Sequence, residues 1–110
     1  MVSAASVGLN GTVVKVGSAT TLNCTASAEC SELRLHWKFA AVGGTKKRLY
    51  LNEYCGRSLP KCSITLSDNN RTSSLTLNDI QLTDAGLYDC LQCWRPRSSE
   101  SQALSVIGKN

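Results

Sequence analysis

The sequence has little of what an enzyme site requires. Its 110 residues include a single histidine, His36, and they contain neither a Gly-rich phosphate loop nor a motif for an activated serine or cysteine nucleophile. No stretch approaches the roughly 18 apolar residues that cross a bilayer. We therefore expect no catalytic residues, no bound cofactor and no membrane insertion by this chain.

The chain also lacks internal repeats, linkers and low-complexity segments, and its length fits one domain. A hydrophobic content of 42% and a charged content of 18% are ordinary for a globular protein. We predict a single domain over residues 1–110 with its core in residues 13–107. Residues 1–8 lack the basic and apolar regions of a signal peptide, so we interpret Met1 as the start of an expressed mature fragment and expect the natural protein to extend at both ends.

Cysteines are what the chain has in unusual number. Six in a chain of this size favour an oxidising compartment, where small domains add disulfides to a limited core. Three N-glycosylation sequons, at Asn10, Asn23 and Asn70, indicate the same compartment. The formal charge of +4 directs encounters toward acidic partners without specifying a ligand. We expect an extracellular glycoprotein.

Apolar and polar residues alternate in short segments separated by Gly, Ser, Asn and Pro, which predicts antiparallel strands joined by turns. No amphipathic helix of useful length is apparent. The first strand contains Val13, Val14 and Val16, and the second covers residues 19–25. A third strand covers residues 33–39, where alternation places one set inward, namely Leu33, Leu35, Trp37 and Phe39, and another outward, namely Arg34, His36 and Lys38.

The second half of the chain continues this pattern. Gly43 and Gly44 suit a hairpin turn before a strand at residues 47–51. Residues 63–66 and 73–77 predict a hairpin around the turn-forming residues 67–70. The last pair of strands is predicted at residues 86–93 and 103–107, with residues 98–101 in a loop.

One constellation of residues is specific. Cys24, Trp37 and Cys90 have the spacing at which a disulfide joins two facing sheets and an indole packs against it. Tyr88 stands two residues before the second cysteine, where a tyrosine corner places its hydroxyl within reach of upstream backbone.

These residues resemble the V-set of the immunoglobulin superfamily, and the likeness covers residues 13–107. It implies an all-β Greek-key sandwich of about nine strands, in which the Cys24–Cys90 disulfide joins two antiparallel sheets. In the lettering of that family, the predicted strands at residues 19–25, 33–39, 47–51, 63–66, 86–93 and 103–107 correspond to B, C, C′, D, F and G. In that family a basic residue opening strand D pairs with the Asp of the tyrosine-corner motif, and the matching positions are Lys61 and Asp84. Lys cannot form the bidentate contact of the family's usual Arg, so a single-contact pair is expected. The residues between Trp37 and strand D leave room for extra C′ and C″ strands.

Within the superfamily, the chain resembles some classes of receptor more than others. Antigen receptors have a Gln and a Pro-Gly turn after the strand C Trp, and an F/W-G-x-G motif in strand G. This chain has neither feature, which disfavours a rearranged antigen receptor. Residues 24–27, 35–38 and 104–108 resemble the membrane-distal domain of the helper T-cell co-receptor. The additional cysteines are similar to those of cytotoxic T-cell co-receptor chains and of bony-fish novel immune-type receptors. The resemblance implies an ectodomain of a type I membrane protein that binds MHC-type or other immunoglobulin-superfamily proteins.

The four remaining cysteines allow three connectivities. A two-residue period from Cys90 places Cys93 outward near the F–G loop. In this fold that loop neighbours the B–C loop, which carries Cys30. We therefore favour Cys30 with Cys93, which leaves Cys55 with Cys62, although other pairings remain open. Residues 90–93 are formally a C-x-x-C motif, but no second ligand pair has zinc-finger spacing, so no metal site is implied.

A ligand-contacting surface is predicted on the outward face of strands C, C′ and F and on the adjacent F–G loop. Trp and Arg are residue types enriched at interface hot spots. Two simpler interpretations stay open: Trp94 could pack over the Cys30–Cys93 bridge, and His36 could be an ordinary exposed residue. The predicted contact residues are Arg34, His36, Lys38, Tyr50, Asp89, Leu91, Trp94, Arg95 and Arg97.

Three classes of function follow. The first is a protein-recognition ectodomain of an immune receptor, either a T-cell co-receptor or an innate paired receptor. The second is a homophilic adhesion module, which would form a homodimer through the same face. The third is a binder of a polyanion, heparan sulfate or nucleic acid, suggested by Lys46, Lys47 and Arg48 and by the loop arginines Arg95 and Arg97. That basic patch is small, and we expect no nucleic-acid ligand.

Overall fold

A computed structural model describes residues 2–5, 11–42, 49–57, 61–67 and 69–109 of the chain. Among these residues it contains nine strands, one α-helix and a 3-10 turn at Leu82–Asp84. The elements are β1 Val2–Ala5, β2 Thr12–Lys15, β3 Thr20–Thr25, β4 Glu32–Ala41, β5 Leu49–Tyr50, α1 Leu51–Arg57, β6 Cys62–Ser67, β7 Thr72–Leu77, β8 Gly86–Arg95 and β9 Arg97–Lys109.

The strands form two sheets, as the all-β prediction required. The larger sheet has the order β1-β9-β8-β4-β5, with β2 also paired to β9, and the smaller sheet has the order β3-β7-β6. Every described pair is antiparallel except β2 with β9, which run parallel from Thr12 opposite Leu104 to Lys15 opposite Ile107.

The core lies between the sheets because alternate residues of both point inward. Trp37 of β4 is fully buried, and its indole N–H donates to the hydroxyl of Ser73 on β7 at 2.9 Å, which ties the two sheets together. The Cys24–Cys90 disulfide makes a second tie, with Cα atoms 6.4 Å apart. Both links involve residues that the sequence placed in the core. The other large buried side chains include Leu22, Leu75, Leu77, Ile80, Tyr88, Leu104 and Val106.

The tyrosine corner is formed as the sequence predicted. The Tyr88 hydroxyl donates to the backbone carbonyl of Asp84 at 2.5 Å, and burial raises the pKa of this phenol, which keeps it a neutral donor. Lys61 contacts one oxygen of the Asp84 carboxylate at 2.5 Å, and it also donates to the carbonyls of Asn78 and Asp79. The ammonium thus makes the expected single contact and uses its other protons on backbone.

The predicted C″ strand is wrong, as is the expectation of no helix in that region. Residues Leu51–Arg57 form helix α1 instead. Leu51 and Cys55 are four residues apart and both are buried, which is the spacing of one helix face. The Asn52 side chain accepts a 2.8 Å hydrogen bond from the backbone N–H of Trp37. The helix therefore caps the edge of β4 that a longer C′ strand would have covered.

Strand β1 was not predicted, because residues 2–5 lie before the expected core. It pairs with the end of β9, from Val2 opposite Lys109 to Ala5 opposite Val106. The number of described strands therefore agrees with the expected nine only because β1 replaces C″.

The hairpin of β8 and β9 is longer than predicted. Residues 98–101 were expected in a loop but belong to β9, where Ser99 lies opposite Leu91 and Ser101 lies opposite Asp89. A turn at Arg95 and Pro96 connects the strands. Because cross-strand pairing continues to this turn, residues 98–101 are held in a strand, although their small polar side chains alone predict a loop.

Register shifts in β4 and β8 overturn two predicted orientations. Leu33 was placed inward, but it lies beside a shift between Leu33 and His36 and is 38% exposed. Cys93 was placed outward, but a shift between Leu91 and Cys93 turns it inward, and it is buried. A β-bulge adds a residue to one strand and so breaks the two-residue period beyond it.

The favoured disulfide connectivity is present despite that error. Cys30 pairs with Cys93, and the two residues form a small buried cluster with Ala26. Cys55 pairs with Cys62 and fixes helix α1 to the start of β6. All six cysteines are therefore in disulfides.

Several sequence predictions lie outside the described residues. They are the glycan site at Asn10, the Gly43–Gly44 turn, the basic run at residues 46–48 and part of the turn at residues 67–70. Of the other two sequons, Asn23 and Asn70 are both exposed.

Candidate ligand-binding face

The outward side chains of β4, β5, β8 and β9 share one surface, which we call the contact face. Cross-strand register brings them together: Lys38 lies between Asp89 on β8 and Tyr50 on β5, and His36 lies opposite Leu91. The alternation that buries Trp37 and Cys90 turns these neighbours to the other side of the sheet.

An open groove of about 530 Å³ runs along the part of the contact face nearest the β8–β9 turn. Its volume is in the range of small ligand sites in proteins, although it is a surface depression rather than an enclosed cavity. The residues lining the groove are Glu32, Leu33, Arg34, His36, Lys38, Tyr50, Leu91, Trp94 and Arg97. A smaller depression beside it adds Leu87, Asp89, Ser99 and Ser101.

The tip of the β8–β9 hairpin forms one end of the groove. Trp94 and Arg97 are cross-strand partners on either side of the turn, and the guanidinium of Arg97 lies 5.1 Å from the centre of the indole. Trp94 is 43% exposed and lies outside the buried cluster of Cys30 and Cys93. The indole therefore faces the groove instead of packing over that disulfide.

His36 lies in the middle of the groove. Its ring centre is 5.8 Å from that of Tyr50, and the ammonium of Lys38 is also 5.8 Å from the Tyr50 ring centre. Burial lowers the pKa of His36, and the positive charges of Arg34 and Lys38 lower it further, while Glu53 opposes them. The imidazole is thus neutral near physiological pH and can both donate and accept a hydrogen bond.

The charges of the groove are unequally engaged. Glu32 forms an ion pair with Arg95 at 3.2 Å, and Asp89 accepts a hydrogen bond from Ser101. In the part of the chain that the structure describes, no carboxylate lies within ion-pair distance of Arg34, Lys38 or Arg97. The groove therefore presents cationic groups whose charge is not neutralised by those residues.

Comparison with known families supplies the classification. The model of the immunoglobulin domain family matches residues 10–92, which is most of the chain. The chain belongs to the immunoglobulin domain family. No curated protein matches the sequence. Immunoglobulin domains are typically non-enzymatic binding modules, so membership in the family supports a role in recognition or adhesion. A disulfide-bonded immunoglobulin domain is typical of extracellular proteins.

This immunoglobulin domain brings together eight of the nine predicted contact residues, and Arg95 is the exception. Arg95 does not line the groove but holds Glu32 at its rim. The groove positions of Glu32 and Leu33 were not predicted, because the β4 bulge reverses the alternation there. Leu87 is 40% exposed at the end of the face that is farther from the β8–β9 turn, and it was not predicted either. Its place two residues before Asp89 could have indicated that its side chain points outward.

The described residues also bear on metal binding and on membrane insertion. Among the described residues, no group of three or more His, Cys, Asp or Glu side chains is placed to hold a metal ion. No helix in the described ranges is long and apolar enough to cross a membrane.

Proposed function

We propose that this immunoglobulin domain is a V-set ligand-recognition domain in the ectodomain of an immune cell-surface receptor, similar to those of T-cell co-receptors. It binds an MHC-type or other immunoglobulin-superfamily protein through the contact face and catalyses no reaction. The receptor is a type I membrane protein, and this domain lies outside the cell.

The V-set assignment is supported by the composition of the larger sheet. Variable-type domains extend the sheet of strands G, F and C with a C′ strand, whereas constant-type domains lack it. Here β5 adds that strand to β4 through the pairs of Lys38 with Tyr50 and Phe39 with Leu49. Helix α1 stands in place of C″, so the likeness is to a variable-type domain with a shortened edge.

The binding assignment depends on one observation, the exposed Trp94–Arg97 pair at the end of a cationic groove. Trp, Tyr and Arg are enriched among residues that dominate binding energy, and Trp94 and Tyr50 are 43% and 51% exposed. Large aromatic groups exposed next to unneutralised cations favour a protein partner, which can cover the rings and approach the charges together.

The proposal is tested with domain secreted from eukaryotic cells, so that the disulfides form. It is offered to a panel of cell-surface proteins that includes MHC class I and class II molecules of the same species. The contact variant Trp94→Ala/Arg97→Ala is compared with Leu66→Ala/Lys15→Ala, a control that also removes one exposed apolar side chain and one positive charge, but from other parts of the surface.

We expect at least one MHC-type or immunoglobulin-superfamily protein to bind the wild type and the control equally, and the contact variant about tenfold or more weakly. Binding that the contact variant retains would contradict the assigned face. Absence of any such partner would contradict the receptor assignment, and a dimer in sedimentation analysis that only the contact variant disrupts would favour homophilic adhesion.

A further inference from the structure

We propose that the groove of the contact face binds an acidic side chain of the partner protein, with an apolar side chain of the partner seated beside it. This inference depends on the proposed function, since it specifies what part of a protein ligand the same face recognises.

The first argument is charge complementarity. Arg34, Lys38 and Arg97 all line one groove, and no described carboxylate lies within ion-pair distance of them. A guanidinium offers a planar pair of donors that matches the two oxygens of a carboxylate. A partner Asp or Glu therefore supplies the charge that the groove lacks.

The groove's own acidic residues do not fill this role. Glu32 is held at the rim by Arg95, and Asp89 is engaged by Ser101 in the neighbouring depression. These two carboxylates also flank the cationic groups, so an extended polyanion would meet repulsion on both sides. A single carboxylate in a concave site avoids that repulsion.

The second argument is the apolar lining. Leu33, Leu91 and Trp94 line the same groove as the cations, and its volume of about 530 Å³ exceeds what one carboxylate occupies. An adjacent apolar side chain of the partner would cover the Trp94 ring and exclude water from the ion pair. Removing water strengthens the attraction between the charges.

The position of His36 gives the site a pH dependence. The groups facing its ring are Arg34 and Lys38 on its own strand, Tyr50 on β5 and Glu53 on helix α1. A carboxylate bound between these cations favours the protonated imidazole, so the complex takes up a proton. Binding of an acidic ligand therefore tightens as the pH falls from neutral through 6.5 toward the lower pKa of His36 in the free domain.

The test uses two blocked dipeptides that differ in one charge. The acidic dipeptide is N-acetyl-glutamyl-phenylalanine amide, and the neutral dipeptide is its glutaminyl counterpart. Each is titrated into the secreted domain while NMR follows the backbone amides, the Trp94 indole and the His36 ring. We expect the shifts to map to the groove and the acidic dipeptide to bind about tenfold more tightly.

Variants locate the effect. Arg34→Gln and Arg97→Gln should each remove most of the preference for the acidic dipeptide, whereas Lys15→Gln, an equal charge change at an exposed position on β2, should preserve it. His36→Gln should remove the tightening at low pH. The proposal is overturned if the two dipeptides bind equally or if neither binds. It is also overturned if the shifts lie outside the groove, or if the Lys15 variant loses the preference for the acidic dipeptide to the same extent.

A heparin tetrasaccharide distinguishes a sulfated polysaccharide from an acidic protein segment. Displacement of the acidic dipeptide by this sugar at a much lower concentration would make the polysaccharide the better occupant and overturn the inference. The dipeptides test the groove without any receptor. A carboxylate preference with no partner on the panel would refute only the proposed function, and a partner with no such preference would refute only this inference.

Discussion

The outer faces of the two sheets are built by the same alternation yet differ in chemistry. On the smaller sheet, nine outward positions of β3, β6 and β7 carry only short polar side chains, and we call this surface the hydroxyl face. Its side chains bond to one another, as in the contacts of Thr21 with Thr76 and Thr25 with Thr72, both 3.0 Å. The nine residues are Thr21, Asn23, Thr25, Ser63, Thr65, Ser67, Thr72, Ser74 and Thr76.

The contact face carries the long side chains instead. Arginine, lysine and aromatic groups there are exposed or line the groove, and three of the cations have no ion-pair partner among the described residues. Short hydroxyl side chains satisfy each other across strands, whereas long charged ones keep groups that another molecule can engage. Under the proposed function, the hydroxyl face therefore contributes to stability and the contact face to recognition.

The two tryptophans provide the largest expected contrast. Trp37→Ala should lower the free energy of unfolding by about 3–5 kcal/mol, because it empties a fully buried site and leaves the Ser73 hydroxyl without its indole partner. Trp94→Ala removes a half-exposed ring and its contact with Arg97, so about 1 kcal/mol or less is expected. Urea unfolding with the disulfides intact measures both. Similar losses would show that Trp94 belongs to the core.

A smaller effect is expected on the hydroxyl face. Thr76→Val keeps the shape and strand propensity of the side chain but removes its bond to Thr21, which should cost about 0.5–1 kcal/mol of stability and leave ligand binding unchanged. The control is Thr65→Val, which lies on the same face at a position with no described side-chain hydrogen bond and should change stability by less than about 0.5 kcal/mol. Reduced ligand binding in either variant would contradict the division between the faces.

The smallest effect concerns the pH dependence of stability. The pKa of His36 is lowered in the folded domain from its ordinary 6.5, so the unfolded chain binds a proton more readily. The contribution of His36 to stability is therefore lost as the pH falls below about 6.5 toward the lower folded pKa. Thermal melts at a series of pH values should show a shallower decline for His36→Gln than for the wild type. Identical curves would mean that the ring is fully solvated.

The contact face shows how far the sequence could be interpreted. Lys38, Asp89 and Leu91 were placed correctly because each lies directly beside the fully buried Trp37 or Cys90, with no register shift between the two. Leu33 and Cys93 were not, because bulges depend on how two strands pair and leave no mark in the local pattern. Arg95 was grouped with Arg97, although the turn between them sends one side chain to Glu32 and the other to Trp94.

The sequence by itself determined the two-sheet sandwich, its buried Trp37 and the Cys24–Cys90 disulfide, because period-two burial and the spacing of Cys24, Tyr88 and Cys90 are properties of the linear chain. Tertiary structure alone decided that residues 51–57 form a helix and that a groove forms on the contact face. Both outcomes require contacts between residues far apart in the chain, such as Asn52 with the backbone of Trp37, whose energies no local pattern encodes.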